Sequence, residues 1–272
     1  MTRLIATVML LATLTSTARS QTWSLELFAG AAGYNGDLTK SALVTRSMKP
    51  VVALNVKYQI HPQFSLRAGL AFASVSGDDK FTKDSMLMLR NLSFQSSIIE
   101  ASFVVEAAIL DPELFPNYPY LFAGVGAFRF KPFAYDMHNE KVFLRPLRTE
   151  GQGLPEYPDR KQYSLTQLCI PFGGGARFKI NDQFSISVEA GFRKLFTDHL
   201  DDVSNSYVDP MVLKNSVGPK ALEMAYRGNE VGSTQFDPYP GNGARRGNPK
   251  KDDWYGFAGV KLTWHFIDPY SY

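Results

Sequence analysis

Hydrophobic and polar residues alternate with a period of two along one segment near the end of the chain, residues 254–266. Val260, Leu262 and Trp264 fall on one face of this segment, while Lys261 and Thr263 fall on the other. A period of two is that of a β-strand, whose successive side chains point to opposite faces. Aromatic residues lie at both ends of the apolar face, as in strands that cross a bilayer with their polar face turned inward. The pattern therefore predicts a membrane-spanning strand.

The same alternation recurs along the chain and predicts about eight strands. Between residues 90 and 110 the apolar positions change parity at Ser96 to Ile99, which predicts a one-residue β-bulge. Strands without a spanning helix can still cross a membrane if they close into a barrel, because closure pairs every backbone group. The predicted strands cover residues 23–33, 50–58, 64–76, 90–110, 120–130, 164–180, 184–196 and 254–266.

The connections between these strands alternate between short and long. The short ones cover residues 59–63, 111–119 and 181–183, and the long ones cover residues 34–49, 77–89, 131–163 and 197–253. Outer-membrane barrels have short periplasmic turns and long extracellular loops. The sequence thus predicts an all-β fold: a closed antiparallel transmembrane β-barrel of about eight strands, with short periplasmic turns, long extracellular loops and both termini in the periplasm.

The first residues have the features of a secretory signal peptide. Arg3 precedes an apolar run, residues 4–14, and the small residues around Ala18 and Ser20 are typical of a cleavage site. We therefore expect a signal peptide at 1–20 and one outer-membrane barrel domain at 21–272, with a loop insertion at about 197–253. The expected location is the outer membrane of a Gram-negative bacterium, in contact with its lipid.

Charge and cysteine content exclude some functions. The chain has 29 Lys and Arg against 26 Asp and Glu, a net charge of +3, which gives no electrostatic footprint for nucleic acid. Its single cysteine, Cys169, cannot form an internal disulfide and is expected to pack as a small apolar residue.

Charged residues of both signs fall on the predicted inner face. An eight-stranded barrel is just wide enough for side chains to fill it, and buried charges are tolerated when they are paired and hydrogen-bonded. We therefore expect a lumen filled by ion pairs in preference to a conducting pore. The predicted lumen charge network comprises Glu26, Lys57, Arg67, Glu100, Glu106, Arg129, Arg177, Glu189, Arg193 and Lys261.

The sequence gives little support for catalysis or metal binding. Of the four histidines, His199 is the candidate catalytic residue because Asp198, Asp201 and Asp202 lie beside it in the sequence. No Ser, Cys or Glu partner stands at a catalytic spacing, however. The same aspartates lack the spacing of an EF-hand, so local turn hydrogen bonds are expected in place of Ca²⁺ ligation. We expect no enzyme activity, no cofactor and no metal.

Several segments of the chain form a recognisable set. The most specific is the loop motif Thr197, Asp198, Leu200, Asp201, Asp202 and Ser204. The others are residues 36–37, 76–79, 90–94, 192–196, 246–249 and 253–255. Together these segments resemble the PorG-like family of outer-membrane barrels, which includes a component of the type IX secretion system.

The resemblance implies a noncatalytic barrel that anchors or organises a periplasmic protein-secretion assembly through secretion-ring proteins. A small transport or ligand-binding barrel that uses its extracellular loops is the alternative. The sequence makes no prediction of oligomeric state.

Overall fold

The computed structural model describes residues 23–39, 47–82, 84–231 and 239–266. The expected signal peptide at 1–20 and the tail at 267–272 lie outside these residues. The strands are β1 (Trp23–Asn35), β2 (Lys49–His61), β3 (Phe64–Asp78), β4 (Ser93–Ala108), β5 (Tyr118–Tyr135), β6 (Lys141–Phe143), β7 (Thr166–Lys179), β8 (Phe184–Leu195) and β9 (Trp254–His265). The α-helices are α1 (Ser85–Arg90), α2 (Pro210–Ser216) and α3 (Pro219–Ala225), and 3₁₀ turns lie at Asp79–Phe81, Arg145–Leu147 and Gly228–Val231.

Eight long strands close into an antiparallel barrel within the described part of the chain. Sequential neighbours pair along the sheet, and β1 pairs with both β2 and β9, so that the first and last strands meet. The short strand β6 pairs only with the end of β5. Closure leaves no unpaired edge, which is the condition for strands to lie in lipid. The predicted fold class is confirmed.

The outside of the barrel is a continuous apolar surface. Large hydrophobic side chains on every long strand are exposed, among them Leu27, Leu54, Leu70, Phe103, Val125, Leu168, Val188 and Val260. Aromatic residues such as Trp23, Phe64 and Trp264 are exposed near one rim, and Phe172 and Phe192 are exposed towards the other. Since such a surface is stable in contact with acyl chains and costly in water, the barrel spans a membrane.

No helix in the described ranges is long and apolar enough to cross a membrane.

The connections divide the barrel into two different ends. We call the end with the connections at 62–63, 109–117 and 180–183 the short-turn end, and the opposite one the long-loop end. In one short turn the Asn181 side chain accepts hydrogen bonds from the backbone of Gln183 and Phe184, which fixes a tight reversal. β1 begins and β9 ends at the short-turn end, as the alternation of connection lengths predicted.

The predicted bulge in β4 is wrong. The pairing of β4 with β3 runs without a shift from Ala107 to Ser93, and Phe94, Ser96, Ile98 and Glu100 all point inward. Apolar residues change parity along β4 because the lumen is polar towards the short-turn end and apolar towards the long-loop end. Its long-loop part is filled by apolar and aromatic side chains, including Tyr34, Phe94, Ile98, Phe128, Phe130, Leu195, Tyr255 and Phe257.

Candidate functional site: the lumen charge network and the cap

We call the aromatic and apolar side chains that fill the long-loop part of the lumen the aromatic layer. Between this layer and the short-turn end, the lumen contains a dense cluster of opposite charges, which we call the main cluster. Three glutamates (Glu26, Glu106, Glu189) face four cations (Lys57, Arg67, Arg177, Lys261). They come from β1, β2, β3, β4, β7, β8 and β9, so the cluster links most of the barrel wall. It brings together most of the predicted lumen charge network.

Glu26, like Glu106, contacts all four cations of this cluster. Its carboxylate lies 3.4 Å from Lys57, 3.7 Å from Arg67, 3.1 Å from Arg177 and 3.2 Å from Lys261, and its side chain is fully buried. Buried charges are stable only when compensated at this range. Removing the charge of one member therefore leaves the other charges uncompensated and destabilises the barrel.

A second ion pair lies between the main cluster and the aromatic layer. Arg193 donates to both carboxylate oxygens of Glu100, at 3.0 and 3.3 Å, and the Tyr255 hydroxyl donates to Glu100 at 2.7 Å. The Arg193 guanidinium also lies 3.8 Å from the centre of the Phe257 ring. Glu100 and Arg193 thus complete the part of the predicted network that lies inside the barrel.

Arg193→Leu is expected to lower the free energy of unfolding by about 3 kcal/mol, because it leaves the buried Glu100 carboxylate without a cation. Urea unfolding in detergent micelles, followed by tryptophan fluorescence, measures the loss. Arg129→Leu is the matched control and should change stability by less than about 0.5 kcal/mol, since its side chain is exposed. Equal stability of the two variants would contradict the pairing.

Little free space remains between the two groups of charges. A cavity of about 30 Å³ lies there, lined by Asn55, Arg67, Glu100, Ser102 and Arg193 among others. This volume accommodates about one or two water molecules. The charged and aromatic layers together fill the interior of the barrel at this level.

Arg129 is a correction to the predicted network. It lies on the outer face of β5 and is exposed, whereas Phe122, Phe128 and Phe130 point inward. Arg129 alternates with these phenylalanines and was therefore expected inside, but the phenylalanines themselves pack in the lumen. The outward Arg129 lies towards the long-loop end, where a long cationic side chain can reach the aqueous rim.

The long loops pack over the barrel as a cap, formed by the described parts of residues 36–48, 79–92, 136–165 and 196–253. Its apolar part is a small cluster of Val208, Leu213, Ala221 and Ala225, to which α2 and α3 contribute. Asp209 caps α2 by accepting from the backbone N–H of Met211 and Val212.

Two buried arginines join the loops of the cap. Arg90 donates to both carboxylate oxygens of Asp79, at 2.8 and 2.6 Å, and also to the carbonyl oxygen of Arg246. Arg246 donates to Glu150 at 2.9 Å and to the carbonyl oxygen of Asp202 at 2.6 Å. These bonds connect four loop segments that are distant in sequence.

The loop motif at 197–204 forms the lower side of the cap and contacts the barrel rim. Leu200 is completely buried, and its backbone N–H donates to Asp253 at 2.9 Å. Asp202 accepts from Thr149 at 2.5 Å and from Tyr163 at 2.6 Å. The motif thus connects the start of β9 with the loop that follows β6.

Segments on which the family resemblance rested also meet in this cap. Asp37 accepts a hydrogen bond from the backbone of Asn248 at 2.8 Å, and the Asp79, Arg90 and Arg246 contacts lie beside it. Tyr34 and Glu150 also take part in the contacts of the cap, although the sequence pattern did not single them out. Tyr34 has the inward parity of β1 and could have been found from it, whereas Glu150 lies in an irregular loop without a pattern.

Burial and crowding shift the protonation of the carboxyl groups in the cap. Burial, with the neighbouring Asp201 and Asp37, raises the pKa of Asp198 to about 9. Burial and Asp37 raise the pKa of Asp201 to about 8. Burial raises the pKa of Asp202 to about 6, although Arg246 lowers it in part. Burial and Asp201 also raise the pKa of Asp253 well above its ordinary value.

His199 is placed against an aromatic ring in the cap. Its imidazole stacks on Tyr163 with ring centres 4.7 Å apart, and its Nδ1 has no hydrogen-bond partner among the described residues. Burial lowers the pKa of His199, which favours the neutral ring. Across the part of the chain that the structure describes, no three His, Cys, Asp or Glu side chains are grouped so that they could hold a metal ion.

Comparison with known proteins assigns the chain to a family. Residues 2–215 match the family described as "Domain of unknown function (DUF6089)". The chain belongs to this family. No curated protein matches this DUF6089 member.

Solved structures similar to this DUF6089 member include three bacterial proteins. Neisserial surface protein A has a TM-score of 0.43 at 12% identity, covering 90% of this chain and 97% of its own. The attachment invasion locus protein Ail of Yersinia pestis, in complex with the heparin analogue sucrose octasulfate, has a TM-score of 0.41 at 9% identity, covering 91% and 100%. The outer membrane protein OprG of Pseudomonas aeruginosa has a TM-score of 0.39 at 9% identity, covering 90% and 98%.

Proposed function

We propose that this protein is a noncatalytic barrel of the outer membrane of a Gram-negative bacterium that anchors or organises a periplasmic protein-secretion assembly of the type IX kind. The observation that carries the proposal is the filled lumen. Charges fill its middle and aromatic side chains its long-loop part, beneath a packed cap. A filled barrel is suited to serve as a rigid support, and the secretion role rests on the PorG-like resemblance of its loop segments.

The short-turn end is the side from which the barrel would hold its partners. Outer-membrane barrels keep short turns on the periplasmic side, which places the start of β1 and the end of β9 there. In the connection at 109–117, Leu114 is 73% exposed and Phe115 is 49% exposed. Apolar side chains at the tip of a turn provide a contact for a periplasmic secretion-ring protein.

Photocrosslinking in whole cells tests this function. A benzophenone amino acid at Leu114 is expected to capture secretion-ring proteins, while the same group at the exposed cap residue Asp159 captures none. Capture of ring proteins from neither position would contradict the secretion role.

The alternative, a small transport or ligand-binding barrel, predicts a different result. Its transport form requires an open path through the barrel, so purified protein should conduct ions in planar bilayers. The filled lumen predicts no steady conductance. Ion conductance together with failure of the Leu114 crosslink would favour the alternative.

A further inference from the structure

Four aspartates of the cap gather where the motif at 197–204 meets the barrel rim: Asp37, Asp198, Asp201 and Asp253. Asp201 and Asp253 are almost completely buried, Asp198 is 7% exposed, and Asp37 is partly buried. Asp37, Asp198 and Asp201 each raise the pKa of at least one other member, and all three raise the pKa of Asp253. We call this group the aspartate cluster.

The Tyr34 hydroxyl lies between two members of the aspartate cluster. It donates to Oδ2 of Asp201 and faces Oδ1 of Asp253 at 3.3 Å. A hydroxyl has a single proton to donate, so Tyr34 cannot fully satisfy both buried carboxyl groups. This shortage of donors favours a proton on the cluster.

Asp198 gives independent evidence for protonation. Neither of its carboxylate oxygens has a hydrogen bond of good geometry to a described residue, although Ser204 lies beside it. A buried ionised carboxylate without a partner costs several kcal/mol, whereas the neutral acid costs much less. Asp198 is thus stable at this position as the neutral acid.

The cations around the aspartate cluster are engaged elsewhere. Arg90 is bound to Asp79, Arg246 is bound to Glu150, and Arg245 donates to the carbonyl oxygen of Gly247. The neighbouring His199 is stacked on Tyr163 and is favoured as the neutral ring. Among the described residues, no salt bridge compensates Asp198, Asp201 or Asp253.

We propose that the aspartate cluster is a proton-controlled latch that holds the 197–204 segment against the ends of β1 and β9. With its carboxyl groups neutral, the segment stays docked through Tyr34 and the backbone of Leu200. When the carboxyl groups lose their protons, repulsion between them and their hydration release the segment. The cap is then closed at acidic and neutral pH and loosens at alkaline pH.

The direction in which pH changes the stability of the closed cap follows from the sign of the pKa shifts. The pKa values in the closed cap, about 9 for Asp198 and about 8 for Asp201, lie above the ordinary value of 3.8. The closed state therefore binds more protons than the open one. Its stability is greatest below the ordinary pKa and falls as the pH rises towards the raised values.

Hydrogen–deuterium exchange of the full chain in lipid nanodiscs, measured with and without EDTA, tests the latch. The reporters are the amides of Leu200, Val203 and Ser204, which donate to Asp253, Asp201 and Glu150. Protection factors, which are corrected for the intrinsic pH dependence of exchange, are expected to fall at least tenfold between pH 6.5 and 9.5. Strand amides of β1 and β9 should keep their protection.

Asp198→Asn combined with Asp201→Asn is the decisive variant, because the amide groups keep the shape, cannot ionise and remove the two carboxylates that repel Asp253 most strongly. It should show less than a threefold fall over the same pH range, and Asp159→Asn, at an exposed cap residue, should behave as the wild type. The proposal is overturned if the wild-type protection does not change with pH. It is also overturned if the double variant loosens as much as the wild type, or if the wild type loosens only when EDTA is present, which would indicate a bound cation.

Discussion

Glu26→Gln is expected to lower the free energy of unfolding by about 5 kcal/mol, the upper end of the effect of breaking a buried ion pair. The reason is that Glu26 lies within 3.7 Å of all four cations of the main cluster and is fully buried. Without its charge, two carboxylates face four cations in the buried interior of the barrel. Urea unfolding in micelles measures the difference.

Glu140→Gln is the control for this substitution, because Glu140 is exposed in the loop between β5 and β6. It should change stability by less than about 0.5 kcal/mol. If Glu26→Gln unfolded at the same urea concentration as Glu140→Gln, the charge cluster would not stabilise the barrel.

Gly30→Val is expected to prevent closure of the barrel. Gly30 lies opposite Gly259 on the seam between the first and last strands. A Cβ atom on Gly30 would come within 2.2 Å of the Ala258 carbonyl oxygen and 2.7 Å of the Gly259 Cα, both backbone atoms that cannot move aside. Only glycine permits this approach. The yield of folded protein, read as the heat-modifiable band in electrophoresis, should fall to near zero.

Ala29→Val places the same valine side chain one residue away, on the exposed outer face, and should fold with the yield of the wild type. Gly30→Ala introduces the same Cβ contact and should also lower the yield. Normal folding of Gly30→Val would show that β1 and β9 do not approach each other as described.

Much of the barrel could be predicted from the sequence because a strand in lipid has one strict requirement. Residues such as Leu27, Val188 and Val260 must face acyl chains, so their alternation with polar neighbours gives strand and face directly. The same alternation gave the inward positions of Glu26 and Lys261. The alternation of short and long connections then predicted which end of the barrel has the short turns and which has the long loops.

The parity of β4 and β5 could not be predicted in this way. Near the long-loop end the inside of the barrel is as apolar as the outside, since Phe94, Ile98, Phe128 and Phe130 fill it. Hydrophobicity alone then no longer distinguishes the two faces. This is why a bulge was wrongly expected in β4 and why Arg129 was wrongly placed in the lumen.

The cap depends on contacts between residues far apart in sequence. The resemblance singled out residues 197–204 and 253, but nothing in the sequence places Asp201 and Asp253 on either side of Tyr34. Nor does it show that Arg90 and Arg246 are engaged by Asp79 and Glu150. Such contacts follow from the closed barrel, which brings the long loops together over one opening.

The central claim is a closed barrel whose apolar outside contacts lipid, and spin-label accessibility along β9 tests it most directly. In a Cys169→Ala background, labels would be placed at the outward positions Ala258, Val260 and Leu262 in nanodiscs. The account predicts that each label is readily reached by oxygen dissolved in the bilayer and poorly by a water-soluble nickel complex, with the largest contrast at Val260. Ready access of the nickel complex to the label at Val260 would contradict it.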